Sequence, residues 1–189
     1  KDHPDLSTVI LNAGIMQPER LGPNQTPLKV AEDTITTNLL GPIRLTHALM
    51  PQLLTHPKAA IITVTSGLAF VPLAVTPTYS ATKADQAHQV RLLAVELGEH
   101  GIRVNGVNPD GVVRGSGIFA GGWGAQRAST YGVPEDELGA YYAQRTILKR
   151  EVLPENIANA VIALTGPELS LTTGLHIPVD SGVAAAFLR

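Results

Sequence analysis

Four short, β-branched apolar runs divide the chain, and segments of helical periodicity fill the intervals between them. "STVILN" (Ser7 to Asn12), "AAIITVTS" (Ala59 to Ser66), "IRVNGVNP" (Ile102 to Pro109) and the run within "GLHIPVDSG" (Gly174 to Gly182) each read as a strand. Strands alternating with helices predict an α/β fold built on a parallel sheet. The first interval opens with a polar loop carrying Pro18, Gly22, Pro23 and Pro27. From Leu28 to about Leu54, apolar residues then recur at helical spacing: Ile35, Leu39, Ile43, Leu45, Leu49 and Leu53. Gly41-Pro42 interrupts this run, so a kink or two abutting helices are expected there.

A loop with Pro72 and Pro77 leads into a second helix from about Thr78 to Glu99. Its stripe includes Ala84, Ala87, Val90, Ala94 and Leu97, and Gly101 is placed to stop it. A glycine-rich stretch follows the third strand, from Asp110 to about Val133, and holds Trp123, the only tryptophan. "PEDELGAYYAQR" (Pro134 to Arg145) predicts a short helix. "PENIANAVIALT" (Pro154 to Thr165) predicts a firmer one, with Pro154 at its start and Ile157, Val161 and Leu164 on one face. At 189 residues, without repeat or linker, the chain is expected to form one domain, residues 1–189.

Composition removes several function classes. Hydrophobic residues at 44% and charged residues at 16% describe a globular chain. A net charge of -2 and a pI near 6.3 give no electrostatic reason to expect a nucleic acid or an anionic membrane as partner. Zero cysteines exclude disulfides and thiolate metal sites. Apolar runs of only a few residues, without a charged leader, predict a cytoplasmic protein. The chain starts at Lys1 without a methionine and with a strand almost at once, and so reads as cut from something longer.

The chemistry gathers in "PTYSATKADQAH", where Tyr79 and Lys83 stand one helical turn apart on one face. A free phenol has a pKa near 10, too high for ready proton exchange at neutral pH, and a lysine charge beside it is expected to lower that value. Ser66 precedes Tyr79 by thirteen residues and ends the second strand. Asn38 sits just before the Gly41-Pro42 break, and "LNAG" (Leu11 to Gly14) ends the first strand. Plainer readings exist for each. Asn12 could cap a strand, Asn38 could satisfy freed backbone groups, Ser66 could be a turn residue, and Tyr79 with Lys83 could be a solvated pair. Glu96 and His100 lie four apart, but a cation in the last turn is expected there rather than a metal site. Trp123, Tyr131, Tyr141 and Tyr142 could line a pocket or form the packing of a lid.

In this order and spacing the motifs resemble those of the short-chain dehydrogenase/reductase family, over essentially all 189 residues. The resemblance implies a Rossmann-like, doubly wound parallel sheet lacking the first strands and the glycine-rich turn. It implies an NAD(P)-dependent oxidoreductase interconverting an alcohol and a carbonyl, with Asn38, Ser66, Tyr79 and Lys83 as catalytic residues. Tyr79 would act as acid/base, Ser66 would bind the substrate oxygen, Lys83 would hold ribose hydroxyls, and Asn38 would hold a water relaying protons to Lys83. Cofactor contacts are implied for Asn12, Ala13, Gly14, Tyr79, Lys83, Pro109, Gly111, Val112 and Arg114, with a substrate loop at about 110–150.

Two departures accompany the resemblance. No Gly-x-x-x-Gly-x-Gly turn follows a strand in this chain, so the chain alone is expected to bind NAD or NADP weakly or not at all, and the choice between them is not set by its residues. Asp110 replaces the usual glycine after Pro109, and Arg114 stands near a usual threonine. The later half resembles the dehydrogenase domain of bifunctional rhamnulose-phosphate aldolase/alcohol dehydrogenases, and the earlier half a free-standing oxidoreductase branch, which implies a mosaic changing near Ala84. The expected partners are a small alcohol or carbonyl substrate and further copies of the chain, with no nucleic acid and no membrane. A non-catalytic oligomerisation scaffold that keeps the family fold is the alternative.

Overall fold

The computed structural model describes residues 3–187. Strands β1 (Thr8–Leu11), β2 (Ala60–Val64), β3 (Arg103–Pro109) and β4 (His176–Val179) form one parallel sheet in that order. Helices α1 (Lys29–Ile35) and α2 (Gly41–Leu53) connect β1 to β2, and α3 (Pro77–Leu97) connects β2 to β3. Helices α4 (Gly124–Tyr131), α5 (Leu138–Gln144) and α6 (Pro154–Thr165) lie between β3 and β4.

Both faces of the sheet are covered, as parallel strands require. Val9, Leu11, Ile61 and Val104 pack on one face with Leu53 of α2 and Val90, Ala94 and Leu97 of α3. On the other face Ile62 and Val107 meet Val161 and Leu164 of α6. Among the described residues β1 ends the sheet order and pairs with β2 alone, and its Ile10 is half exposed.

The expected interruption at Gly41-Pro42 takes a specific form. α1 and α2 are joined by a π turn, Thr36–Leu40, and the Gly41 N–H reaches back five residues to Thr36 O. Pro42 has no N–H to complete the ladder, so the extra residue is absorbed just before it. α3 begins one residue earlier than expected, and Gly101 stops it at a φ of 73°. Of the expected α3 stripe, Ala84 is exposed; the inward face of the first turns carries Tyr79, Thr82, Lys83 and Gln86 instead.

Two polar contacts fix the helices on the sheet. Arg103 donates from Nη1 to Leu164 O at 2.6 Å and Leu169 O at 3.2 Å, placing its guanidinium at the negative end of α6. Arg103→Met is expected to cost about 1–3 kcal/mol by orphaning these carbonyls. Urea denaturation checks it, and an unchanged midpoint refutes it. His176 lies buried over Gly106, where an added Cβ would stand 2.3 Å from its Nδ1. Its Nε2 lies 2.9 Å from the carbonyl of Ala87, which can only accept, so the proton sits on Nε2 and ties β4 to α3.

Candidate active site

The C-terminal ends of parallel strands open on one side of the sheet, where α/β proteins form their crevice. Here β1 passes into Asn12, Ala13 and Gly14, β2 into Thr65 and Ser66, and β3 into Asp110, Gly111 and Val112. Among them lies a cavity of about 780 Å³. Asn12, Gly14, Ser66, Tyr79, Lys83, Pro109, Gly111 and Val112 all line it. Sequence reasoning missed Met16 as a liner, and Asp110 and Arg145 line the cavity from within the expected substrate loop without having been named as site residues. The aromatic residues divide. Trp123 and Tyr142 line the cavity, whereas Tyr131 and Tyr141 stack on each other with centroids 4.5 Å apart.

The N-terminus of α3 is set by a buried carboxylate from the first loop. Glu19 accepts from the Thr78 N–H at 3.0 Å, and its own N–H donates to Val75 O at 2.9 Å. A negative charge at a helix N-terminus is favourable. Val75 has a φ of 62°, a left-handed conformation that β-branched residues rarely adopt. Glu19 therefore holds both the strained turn and the helix end that present Tyr79.

Tyr79 and Lys83 are buried, at 8% and 4% exposure, which rules out a solvated surface pair. Burial pushes the Tyr79 phenol above its ordinary value of 10, with the Ser66 hydroxyl beside it opposing the rise. This corrects the expectation that Lys83 lowers it. The Lys83 ammonium stands 5.8 Å from the ring centroid and is engaged elsewhere, donating to Val64 O at 3.0 Å and Gln86 Oε1 at 3.0 Å. Burial lowers Lys83 itself from 10.5 to about 8. The phenol is therefore held in its neutral form. Ser66 also serves its turn, accepting from Leu68 N at 3.1 Å.

Asn38 is fully buried and does not line the cavity. Its Oδ1 accepts from Ile15 N at 2.8 Å and its Nδ2 donates to Ile15 O at 2.8 Å. The side chain is spent on the backbone beyond Gly14, with Thr82 Oγ1 at 3.5 Å, rather than on Lys83. Two other expected residues also stand apart. Ala13 is exposed and outside the cavity wall. Arg114 is exposed and pairs with Glu151 at 2.6 Å, leaving it no part in the wall.

Among the described residues, no cluster of three or more His, Asp or Glu side chains could hold a metal ion, and no helix is long and apolar enough to cross a membrane.

Residues 1–184 match the protein family described as Enoyl-(Acyl carrier protein) reductase. The Bacillus subtilis protein named uncharacterized oxidoreductase YuxG is 45% identical over 111 residues, covering 59% of this chain and 16% of that protein. L-xylulose reductase of Caenorhabditis elegans is 29% identical over 181 residues, covering 95% of this chain and 66% of the relative. A solved structure from Beutenbergia cavernae, assigned as an NAD(P) dependent gluconate 5-dehydrogenase with bound NADP at low occupancy, superposes with a TM-score of 0.81. It is 26% identical, over 95% of this chain and 67% of that one. The chain thus spans less than two thirds of the length of the Bacillus and Caenorhabditis relatives.

Proposed function

Because this chain belongs to the short-chain dehydrogenase/reductase family, we propose that it carries the proton-transfer half of an NAD(P)-dependent oxidoreductase acting on an alcohol/carbonyl pair. The observation that carries this reading is one cavity wall holding a buried phenol, a hydroxyl and an ammonium: Tyr79, Ser66 and Lys83. The wall fits the nicotinamide end of such a cofactor. Gly14 leaves open a space where a Cβ would stand 3.8 Å from Lys83 Nζ. Lys83 has two of its three N–H groups committed and one left for a ribose hydroxyl.

The cofactor, when bound, supplies the hydride for carbonyl carbon. The phenol of Tyr79 gives its proton to the carbonyl oxygen, and Ser66 donates a hydrogen bond to the same oxygen as charge builds there. Lys83 would hold the ribose end of that cofactor through its remaining N–H. Asn38 holds Ile15, and with it the backbone beside Gly14, in place. The Asp110–Arg145 pair, 3.2 Å apart on the cavity wall, and two matches named for sugar-type substrates support a polyhydroxylated carbonyl as substrate class. Association of copies through α2 and α3 is part of the same proposal, supported by exposed Ile43, Leu45, Leu92 and Val95.

The pH dependence tests the assignment. The Lys83 ammonium persists below about 8 and is lost above it. Carbonyl reduction, followed by loss of reduced nicotinamide absorbance, is expected to fall in kcat/KM as pH rises through that value. Lys83→Arg keeps its charge and should lose that limb. A flat profile, or a limb that persists with arginine, refutes the role of the charge. The scaffold reading draws on the exposed apolar residues of α2 and α3. A stable oligomer that binds neither nucleotide and turns over no carbonyl would favour it.

A further inference from the structure

Gln86 lies one turn beyond Lys83 on the inward face of α3, at 3% exposure. Its side-chain amide meets two groups at once. Oε1 accepts from Lys83 Nζ at 3.0 Å, and Nε2 donates to the backbone carbonyl of Asn38. That carbonyl lacks the partner a regular helix provides. The residue four positions on is Pro42, which has no N–H, and the backbone passes through the π turn at this point. The amide cannot turn round without loss: reversed, its NH₂ would face an ammonium and its oxygen a carbonyl. Its orientation is fixed by its two partners.

We propose that Gln86 is a positioning residue for Lys83, a fixed amide that accepts from its ammonium and is itself anchored on the backbone carbonyl of Asn38. The inference rests on Lys83 belonging to the reacting site. An amide accepts at oxygen and donates at nitrogen, so it can hold the Lys83 ammonium on one side and the Asn38 carbonyl on the other. β2 presents the Val64 carbonyl, the π turn presents Asn38, and the end of β1 presents Gly14. The titratable neighbour is Tyr79, on the same helix and the same cavity wall.

Titration of Lys83 in the nucleotide-free chain tests this directly. The sequence has five lysines, so the ¹³Cε signal of Lys83 can be assigned by its loss in Lys83→Met. Gln86→Met fills nearly the same space without an acceptor, and the Lys83 midpoint is expected to fall by about one unit. Gln86→Glu keeps an acceptor and adds charge, and the midpoint is expected to rise by about one unit or more. A merely structural role would shift the melting temperature in both variants and leave the midpoint alone. An unchanged midpoint in both overturns the proposal, and if Gln86→Met does not fold, Gln86→Glu decides. Because the titration needs no turnover, shifted midpoints in an inactive chain would uphold the bridge and count against the oxidoreductase reading. Unmoved midpoints in an active one would do the reverse.

Discussion

Tyr79→Phe is expected to lower carbonyl turnover by about 10²–10⁴-fold in kcat, with nucleotide affinity nearly unchanged. The substitution removes one oxygen and little else. The ring packs in a cluster with Met16 and Trp123, and phenylalanine keeps that contact. Burial favours the neutral phenol, so the wild-type side chain is protonated across the neutral range and can act as an acid without first recruiting a proton. Ser66 can bind the substrate oxygen in the variant but cannot replace a positioned acid, because an aliphatic hydroxyl is a far weaker acid than a phenol. A variant that kept more than about a tenth of its turnover would fall outside the usual contribution of a general acid and would remove Tyr79 from the mechanism.

The second large effect is expected on stability. Asn38→Leu preserves volume but strands the N–H and C=O of Ile15, both now paired with the Asn38 side chain at 2.8 Å. Leaving two such groups unpaired costs about 2–4 kcal/mol. The change should appear as a lower urea midpoint with an unaltered slope. It should also loosen the backbone beside Gly14, where the cavity wall passes close to Lys83. A variant as stable as the parent would mean that the Asn38 side chain does not hold the Ile15 backbone. The geometry joins two readings that the sequence left separate. Asn38 does satisfy backbone groups, but those of Ile15 behind the candidate site rather than groups freed at the Gly41-Pro42 break.

The order of strands and helices was legible because apolar residues recur with the period of each element. The same cue failed where the inward face is polar. In α3 a stripe drawn through alanines includes Ala84, which is exposed, and passes over Thr82 and Gln86, which are buried. A segment that serves a site breaks local hydrophobic rules. Gln86 was findable in principle, standing three residues after Lys83 on the same helical face. α4 was hidden for a different reason. Gly121, Gly122 and Gly124 weaken any helical expectation, and tertiary contacts offset that weakness. Ala128 packs with Leu138 and Tyr142 of α5, with Val113 and Phe119 against the same cluster. Arg114 was misplaced because nearness in sequence to Pro109 does not fix where a loop carries its side chain; Glu151 holds it outside.

Trp123 gives the cavity a voice of its own. It is the only tryptophan in the chain, is 5% exposed, and packs in the cluster with Met16 and Tyr79 while the Arg127 guanidinium lies 5.1 Å from its ring centroid. Intrinsic fluorescence excited at the indole band therefore reports from one wall of one cavity. Entry of a carbonyl compound or a nicotinamide ring alters the surroundings of that indole, whereas events on the helical faces away from the cavity leave them alone. Candidate ligands can therefore be screened on the unlabelled protein, by titration, without a turnover assay.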